Sequence, residues 1–349
     1  MRIVFVYYVM DVAGSARDVN NYVEAGKALG HEITVFGPTG AHPSFRFSPA
    51  VDSCDAAVFL FEWTTELRYG DHLDLARLLA TVPRERRVVI DCDANYNEPI
   101  ACDGDFNHRD QASARWWTDV CDRLADKICQ PTLHPQRRNV TPFLFYAYDS
   151  RSEAPIGLEP RDYGMTYVGH SKFRWGPMSR VLRAVEPIRP QVGRIGLVGH
   201  GWDGVPAWAD EMGIADAYYT DQAYLRKLRV EILPEISFEQ VIPQMSRATF
   251  NPVLSRPLFD RLALVSPRLF ETPAAGTIPL FFRDPADVRN LHGEDALDLV
   301  PGDDATDKIR DVIETPERYA EIVTRVRAHL AERHSYAARL RQLIEIVES

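Results

Sequence analysis

Arg268 and Glu271 stand three residues apart in the segment Ser266-Pro267-Arg268-Leu269-Phe270-Glu271-Thr272-Pro273-Ala274-Ala275-Gly276-Thr277, just ahead of the apolar run Ile278–Phe282. A guanidinium is a rigid fork of donors that matches phosphate oxygens. A carboxylate has two oxygens and can accept from both hydroxyls of a diol. The small residues Ala274, Ala275 and Gly276 let a backbone and a ligand approach closely. The plainer alternative is an ordinary solvated helix start, where Glu is favoured in any case. Two other loops hold groups of similar promise: Gly169-His170-Ser171-Lys172-Phe173-Arg174-Trp175 and Gly199-His200-Gly201-Trp202.

These loops need elements to hold them. In the first half, strand-like runs at Ile3–Tyr8, His31–Phe36, Ala56–Phe61, Arg87–Ile90 and Lys127–Cys129 alternate with helical spacing at Arg17–Leu29, Leu73–Leu79 and Ala114–Ala125. Repeated β-α-β order predicts a doubly wound parallel sheet. Periodicity lapses between Asp149 and Pro160, a polar stretch broken by two prolines, which reads as a linker. Alternation then restarts. Strands are predicted at Met165–Val168, Arg194–Val198, Ala248–Asn251 and Ile278–Phe282, with helices at Pro177–Val185, Phe238–Met245 and Arg268–Ala275 and a helical tail over Ala305–Val347. The expected organisation is two Rossmann-like α/β domains, residues 1–155 and 156–349. Ligands of open parallel sheets collect at the carboxyl ends of the strands, which is where all three loops fall.

The Ser266–Leu280 segment resembles the donor-site helix of GT-B glycosyltransferases, and most closely the CgeB-like, or spore-maturation-protein-like, group with its S-x-R-x-F-E-x-x-A-x-G pattern. Tyr167-Val168-Gly169 resembles the strand that opens that family's donor domain, and His334-Ser335-Tyr336 through Leu340 resembles its ending. The likeness spans roughly residues 163–345; the first half matches in architecture alone. It implies a GT-B fold, with two doubly wound parallel-sheet domains facing across a cleft and a last helix that crosses back to the first domain. It implies transfer of a sugar from a nucleoside-diphosphate sugar, UDP-linked sugars among them, without a metal cofactor. Glu271 would hold the ribose diol and Arg268 the diphosphate, with Ser266, Gly276 and Thr277 lining the same segment. Gly169 would permit close approach, and His170, Lys172 and Arg174 would lie beside the leaving group. Gly199 and Gly201 would shape the base pocket, where Trp202 would stack on the nucleobase; a core tryptophan is the plainer alternative. Position 263, eight before Glu271, is Ala and not the second Glu of many retaining enzymes, so a retaining outcome gains no support. The first domain would bind the acceptor, and Asp11, Glu62 and Asp93, each just past a predicted strand, are candidate bases.

Other chemistries find less support. The loop after the first strand is not G-x-G-x-x-G, which disfavours NAD or FAD. No H-E-x-x-H and no G-x-S-x-G occur. Asp91-Cys92-Asp93 spells D-x-D, a metal motif of the other main glycosyltransferase architecture, but Asp103-Gly104-Asp105 spells it again nearby. Five cysteines, none in C-x-x-C, argue against a disulfide framework or a structural zinc. A net charge of −10 argues against non-specific nucleic-acid binding. No apolar run reaches the length of a membrane span, and no secretory signal is evident, so the expected location is the cytoplasm. The rival readings are an epimerase or phosphorylase on the same fold, or a non-catalytic nucleotide-sugar-binding subunit.

Overall fold

The computed structural model describes residues 1–7, 15–36, 41–42, 45–46, 53–61, 79–100, 102 and 111–349. A six-stranded sheet is built from β1 (Arg2–Val6), β2 (Glu32–Phe36), β5 (Ala56–Phe61), β6 (Arg87–Asp91), β7 (Lys127–Gln130) and β8 (Val140–Pro142) in the order β2-β1-β5-β6-β7-β8. Every pairing in it is parallel. The short strands β3 (Ala41–His42) and β4 (Phe45–Arg46) form an antiparallel pair apart from it. A second, wholly parallel sheet comprises β9 (Tyr163–Val168), β10 (Ile195–Val198), β11 (Val230–Leu233), β12 (Ala248–Val253) and β13 (Ile278–Phe281) in the order β11-β10-β9-β12-β13. Strands covered on both faces are uninterruptedly apolar. All six residues of β5 and all four of β10 and β13 are accordingly buried.

Four strands were not anticipated. Val140–Pro142 and Val230–Leu233 are the last strands at their sheet edges, and the β3–β4 pair is too short for a period to show. Pro252 lies inside β12, which runs to Val253 and not only to Asn251. The predicted Leu73–Leu79 helix lies largely outside the described residues.

The two sheets share one contiguous apolar core, carried between them by helices. Helix α1 (Ser15–Leu29) buries Ala16, Val19 and Tyr22. Tyr22 stacks on Phe145 and donates its hydroxyl to the Phe145 carbonyl at 2.8 Å. The final helix α2 (Tyr336–Glu348), capped by the Ser335 hydroxyl, packs along α1 with Tyr336 edge-on to Tyr22. Its far end accepts a hydrogen bond from Lys127 Nζ at the Val347 carbonyl, 2.8 Å away. Elsewhere Thr132 donates to the Leu262 carbonyl at 2.7 Å, and Val265 N–H donates to the Pro131 carbonyl at 2.7 Å. Among the described residues no helix is long and apolar enough to cross a membrane.

Asp18 sits inside the α1–α2 contact and accepts a hydrogen bond from the Tyr336 hydroxyl. Burial pushes its carboxyl up to about 7, against the opposing pull of Arg17 and the Tyr336 bond. Between its ordinary value and about 7 the folded chain holds a proton that the unfolded chain has released, so this group costs stability as pH rises through that window. Asp18→Asn keeps an acceptor for Tyr336 and removes the titration. Urea unfolding at about pH 4 and about pH 7 should show the variant gaining on the wild type toward the higher pH; a constant gap would mean that Asp18 does not titrate in this range.

Candidate active site

In the second sheet the chain order reverses between β9 and β12, and the loops that leave their carboxyl ends lie side by side. Such a switch point opens the crevice in which doubly wound sheets bind ligands. The β9 loop begins at Gly169, whose N–H donates to the Val198 carbonyl at 2.8 Å. Gly199 has φ +126°, and a Cβ there would lie 2.9 Å from the Gly169 carbonyl oxygen, so the β9 and β10 loops touch backbone to backbone. Only glycine permits both that conformation and that approach. Trp202 is fully buried and its indole N–H donates to the Gly169 carbonyl at 2.7 Å. Gly201 packs against Ser171 and Tyr218.

Onto this frame come the cations and imidazoles. His170 stacks on His200 with ring centroids 5.2 Å apart. Arg174 Nη1 lies 3.0 Å from His170 Nδ1, and since a guanidinium only donates, that nitrogen accepts. Desolvation, followed by the charges of Arg174, His200, Arg256 and Lys172, holds His170 well below the usual imidazole range, so it is neutral. Lys172 is half-buried with its ammonium 5.5 Å from the Phe173 ring centre. Phe173 itself adopts a left-handed φ of +57°, a conformation costly for a non-glycine residue and often met at functional sites.

The next wall is helix Arg268–Ala274, seven residues long with Pro273 inside it. Its apolar positions, Leu269 and Phe270, face the core. Arg268 donates through Nε to the Val168 carbonyl at 2.9 Å and so ties the helix to the carboxyl end of β9. Its Nη1 donates to Glu271 Oε2, while Arg17 Nη2, from α1 of the other domain, donates to Glu271 Oε1. Burial pushes the Glu271 carboxyl up, but Arg268 and Arg17 together outweigh it and hold the group below its ordinary value. The result is a buried carboxylate, ionised, clamped between two guanidinium groups.

Asp93 closes the view from the first sheet. It follows β6 and lies 3.7 Å from Arg256 Nη2; both are buried, and Arg256 follows β12. Its neighbour Asp91 is occupied locally, accepting from Tyr96 N–H at 2.7 Å, Asn95 N–H at 2.9 Å and the Gln130 amide at 2.9 Å. Burial raises Asp91 to about 6, the hydrogen bonds opposing it. Among the described residues, no group of three or more His, Cys, Asp or Glu side chains could hold a metal ion.

Residues 179–345 match the sequence model of a family described as "Glycosyl transferase-like". No curated protein matches the sequence. Solved structures match over the whole chain. An alpha-glucosyltransferase in complex with UDP-glucose and DNA containing an abasic site superposes with a TM-score of 0.68 at 13% identity, covering 100% of both chains. The T4 phage BGT in complex with its UDP-glucose substrate gives 0.61 at 9% identity, again over 100% of both. A glycosyltransferase from Rickettsia africae ESF-5 gives 0.60 at 10% identity over 99% of this chain and 97% of that one. The fold is GT-B. The CgeB-like likeness drawn from the sequence is finer than this match and is not part of it.

In the GT-B frame, Gly169, His170, Lys172, Arg174, Gly199, Gly201, Arg268 and Glu271 gather at the carboxyl end of the second sheet. Ser266 is half-buried just before the helix, its carbonyl accepting from Leu269 N–H at 3.1 Å. Three of the expected donor residues have structural partners of their own. Trp202 offers no face to a nucleobase, because it is enclosed in the core and anchors the Gly169 carbonyl. Gly276 is required by the linker: it has φ +68°, and a Cβ there would run into the Pro155 carbonyl oxygen. Thr277 is buried and donates to the Ala248 carbonyl at 2.9 Å while accepting from the Asn251 amide at 2.9 Å, which braces β12. Asp11 and Glu62 follow β1 and β5 in the chain but lie outside the described residues. Two residues were missed. Arg256 lies three positions past the true end of β12, and the strand-end rule finds it once the strand is carried through Pro252. Arg17 opens the predicted helix Arg17–Leu29, and nothing local signals its reach across the domains.

Trp202→Phe keeps the ring volume near enough and removes the N–H. It should lower unfolding free energy by about 1–3 kcal/mol, the cost of an unsatisfied buried acceptor, and leave the order of preference among nucleotides unchanged. A reordered preference in a thermal-shift panel would restore the base-stacking role.

Proposed function

We propose that this chain is a glycosyltransferase that moves a sugar from a nucleoside-diphosphate sugar, with UDP the first nucleotide to test, to an acceptor nucleophile, without a metal. The observation that carries the reading is the buried, ionised Glu271 carboxylate beside Arg268 at the switch point of the second GT-B sheet. A carboxylate held in its charged form accepts strongly from a ribose diol. Arg268, Arg174, Lys172 and Arg256 surround the place where the diphosphate's charge would grow as the glycosidic bond breaks, and preorganised cations there lower the barrier. They supply the positive charge that a divalent ion supplies elsewhere. Residues 1–155 would serve the acceptor and residues 156–349 the donor.

Asp93 is the base that the described residues favour, with Asp11 and Glu62 the other two candidates. It stands at the carboxyl end of the first sheet and faces the second across its pair with Arg256. A base must lie within hydrogen-bond reach of the acceptor hydroxyl it deprotonates, and this is the side from which an acceptor would enter. The DNA in one of the similar structures belongs to that protein; a net charge of −10 argues against non-specific binding of a polyanion by this chain. The cytoplasm is the proposed location.

Two measurements test the reading. Charge-assisted hydrogen bonds contribute about 1.5–3 kcal/mol, so Glu271→Ala should weaken UDP binding by about tenfold to a hundredfold, and Glu271→Gln by less. Equal affinity in all three proteins, with circular dichroism unchanged, places the donor site elsewhere. Transfer or hydrolysis of UDP-glucose should persist in EDTA; loss of activity that manganese restores would sink the metal-free mechanism.

A further inference from the structure

Glu271 cannot be fully available to a ribose while both its oxygens are covered. Its side chain is 6% exposed, Oε2 is held by Arg268 and Oε1 by Arg17. The two arginines are not equivalent. Arg268 belongs to the same helix as Glu271 and is tied by its Nε to the β9 carbonyl of Val168. Arg17 comes from the other domain, and its side chain is 28% exposed. Its backbone is fixed. The neighbouring Asp18 accepts from Tyr336, Ala16 and Val19 are buried, and Tyr22 is bonded to the Phe145 carbonyl. What can move is the long side chain alone, swinging from a stationary Cα.

Resting on the donor-site reading above, we propose that Arg17 is the residue that senses the donor's diphosphate: it covers Glu271 in the nucleotide-free protein and passes to the diphosphate when the ribose takes its place. The exchange conserves charge pairing. Before it, the Arg17 guanidinium faces a carboxylate; after it, the same guanidinium faces phosphate oxygens, for which its fork is equally suited. A nucleoside can take Glu271 but brings no anion for Arg17. It must leave a partly buried guanidinium without its partner, which is costly. The site therefore rejects nucleosides through a residue that does not touch the base or the ribose, and it couples donor occupancy to a contact between the domains.

The experiment is calorimetric titration of UDP with uridine, and of GDP with guanosine, into wild type, Arg17→Gln and Arg17→Lys. In Arg17→Gln the diphosphate should bind at least about tenfold more weakly, while the nucleoside binds as well as before or better, because its competitor for Glu271 is gone. The ratio of the two affinities therefore collapses. In Arg17→Lys, which keeps the charge but not the fork, the ratio should fall by about threefold to tenfold. If diphosphate and nucleoside lose the same factor, Arg17 merely holds Glu271 in place and the proposal is overturned. An unchanged ratio in both variants overturns it as well. Should Arg17→Gln fail a circular-dichroism check, the Arg17→Lys ratio decides alone. Wild type that binds neither UDP nor GDP refutes the donor-site reading itself, a separate outcome from either of these.

Discussion

A buried carboxylate must be accompanied, and the company that Glu271 keeps organises the rest of the molecule. Desolvation alone would neutralise it; two guanidinium groups prevent that. One comes from its own helix and one from the opposite domain, so a single charge fixes the helix onto β9 and joins the first domain to the second. Burying an ion pair is costly unless its geometry and partners are good. Arg268 meets that demand by sharing its fork between Glu271 and the Val168 carbonyl. Arg17 meets it by growing from a helix clamped on both faces. The shared apolar core and the Tyr22, Tyr336 and Phe145 cluster are what hold that helix in place.

The switch point of the second sheet depends on backbone packing as much as on charge. Gly199 brings two strand-end loops into backbone contact, and Trp202 anchors the carbonyl where they meet. His170 and His200 then stack on that platform, and burial, with the same cations that would receive a diphosphate, keeps His170 neutral. A neutral imidazole among cations adds no repulsion to them. Asp93 and Arg256 continue the charge pairing from the first sheet to the second.

Much of this could be read in the chain. Alternating apolar and helical spacing located most strands of both sheets, because buried parallel strands have little choice but to be apolar. The S-x-R-x-F-E segment located Arg268 and Glu271 through a family resemblance, and the same two residues prove to share an ion pair. What escaped has physical causes. Edge strands such as Val230–Leu233 carry a mixed pattern, since they are covered on fewer sides. Pro252 masked the end of β12 and with it Arg256. Trp202, Gly276 and Thr277 have the residue types of a ligand site, yet their partners are the Gly169, Pro155 and Ala248 backbones; sequence shows a residue's capacity and not which neighbour uses it. Arg17 is the extreme case, 254 positions from its partner.

The return of the final helix to α1 has a bearing on how the protein is made. The face of α1 that carries Tyr22 and Asp18 emerges from the ribosome early, while Tyr336 follows it by more than three hundred residues. Through all that time the first sheet lacks one wall, with an apolar face and a polar group both waiting for cover. Exposed apolar surface of this kind invites mispairing in nascent chains. The half of the molecule synthesised first is therefore the half completed last.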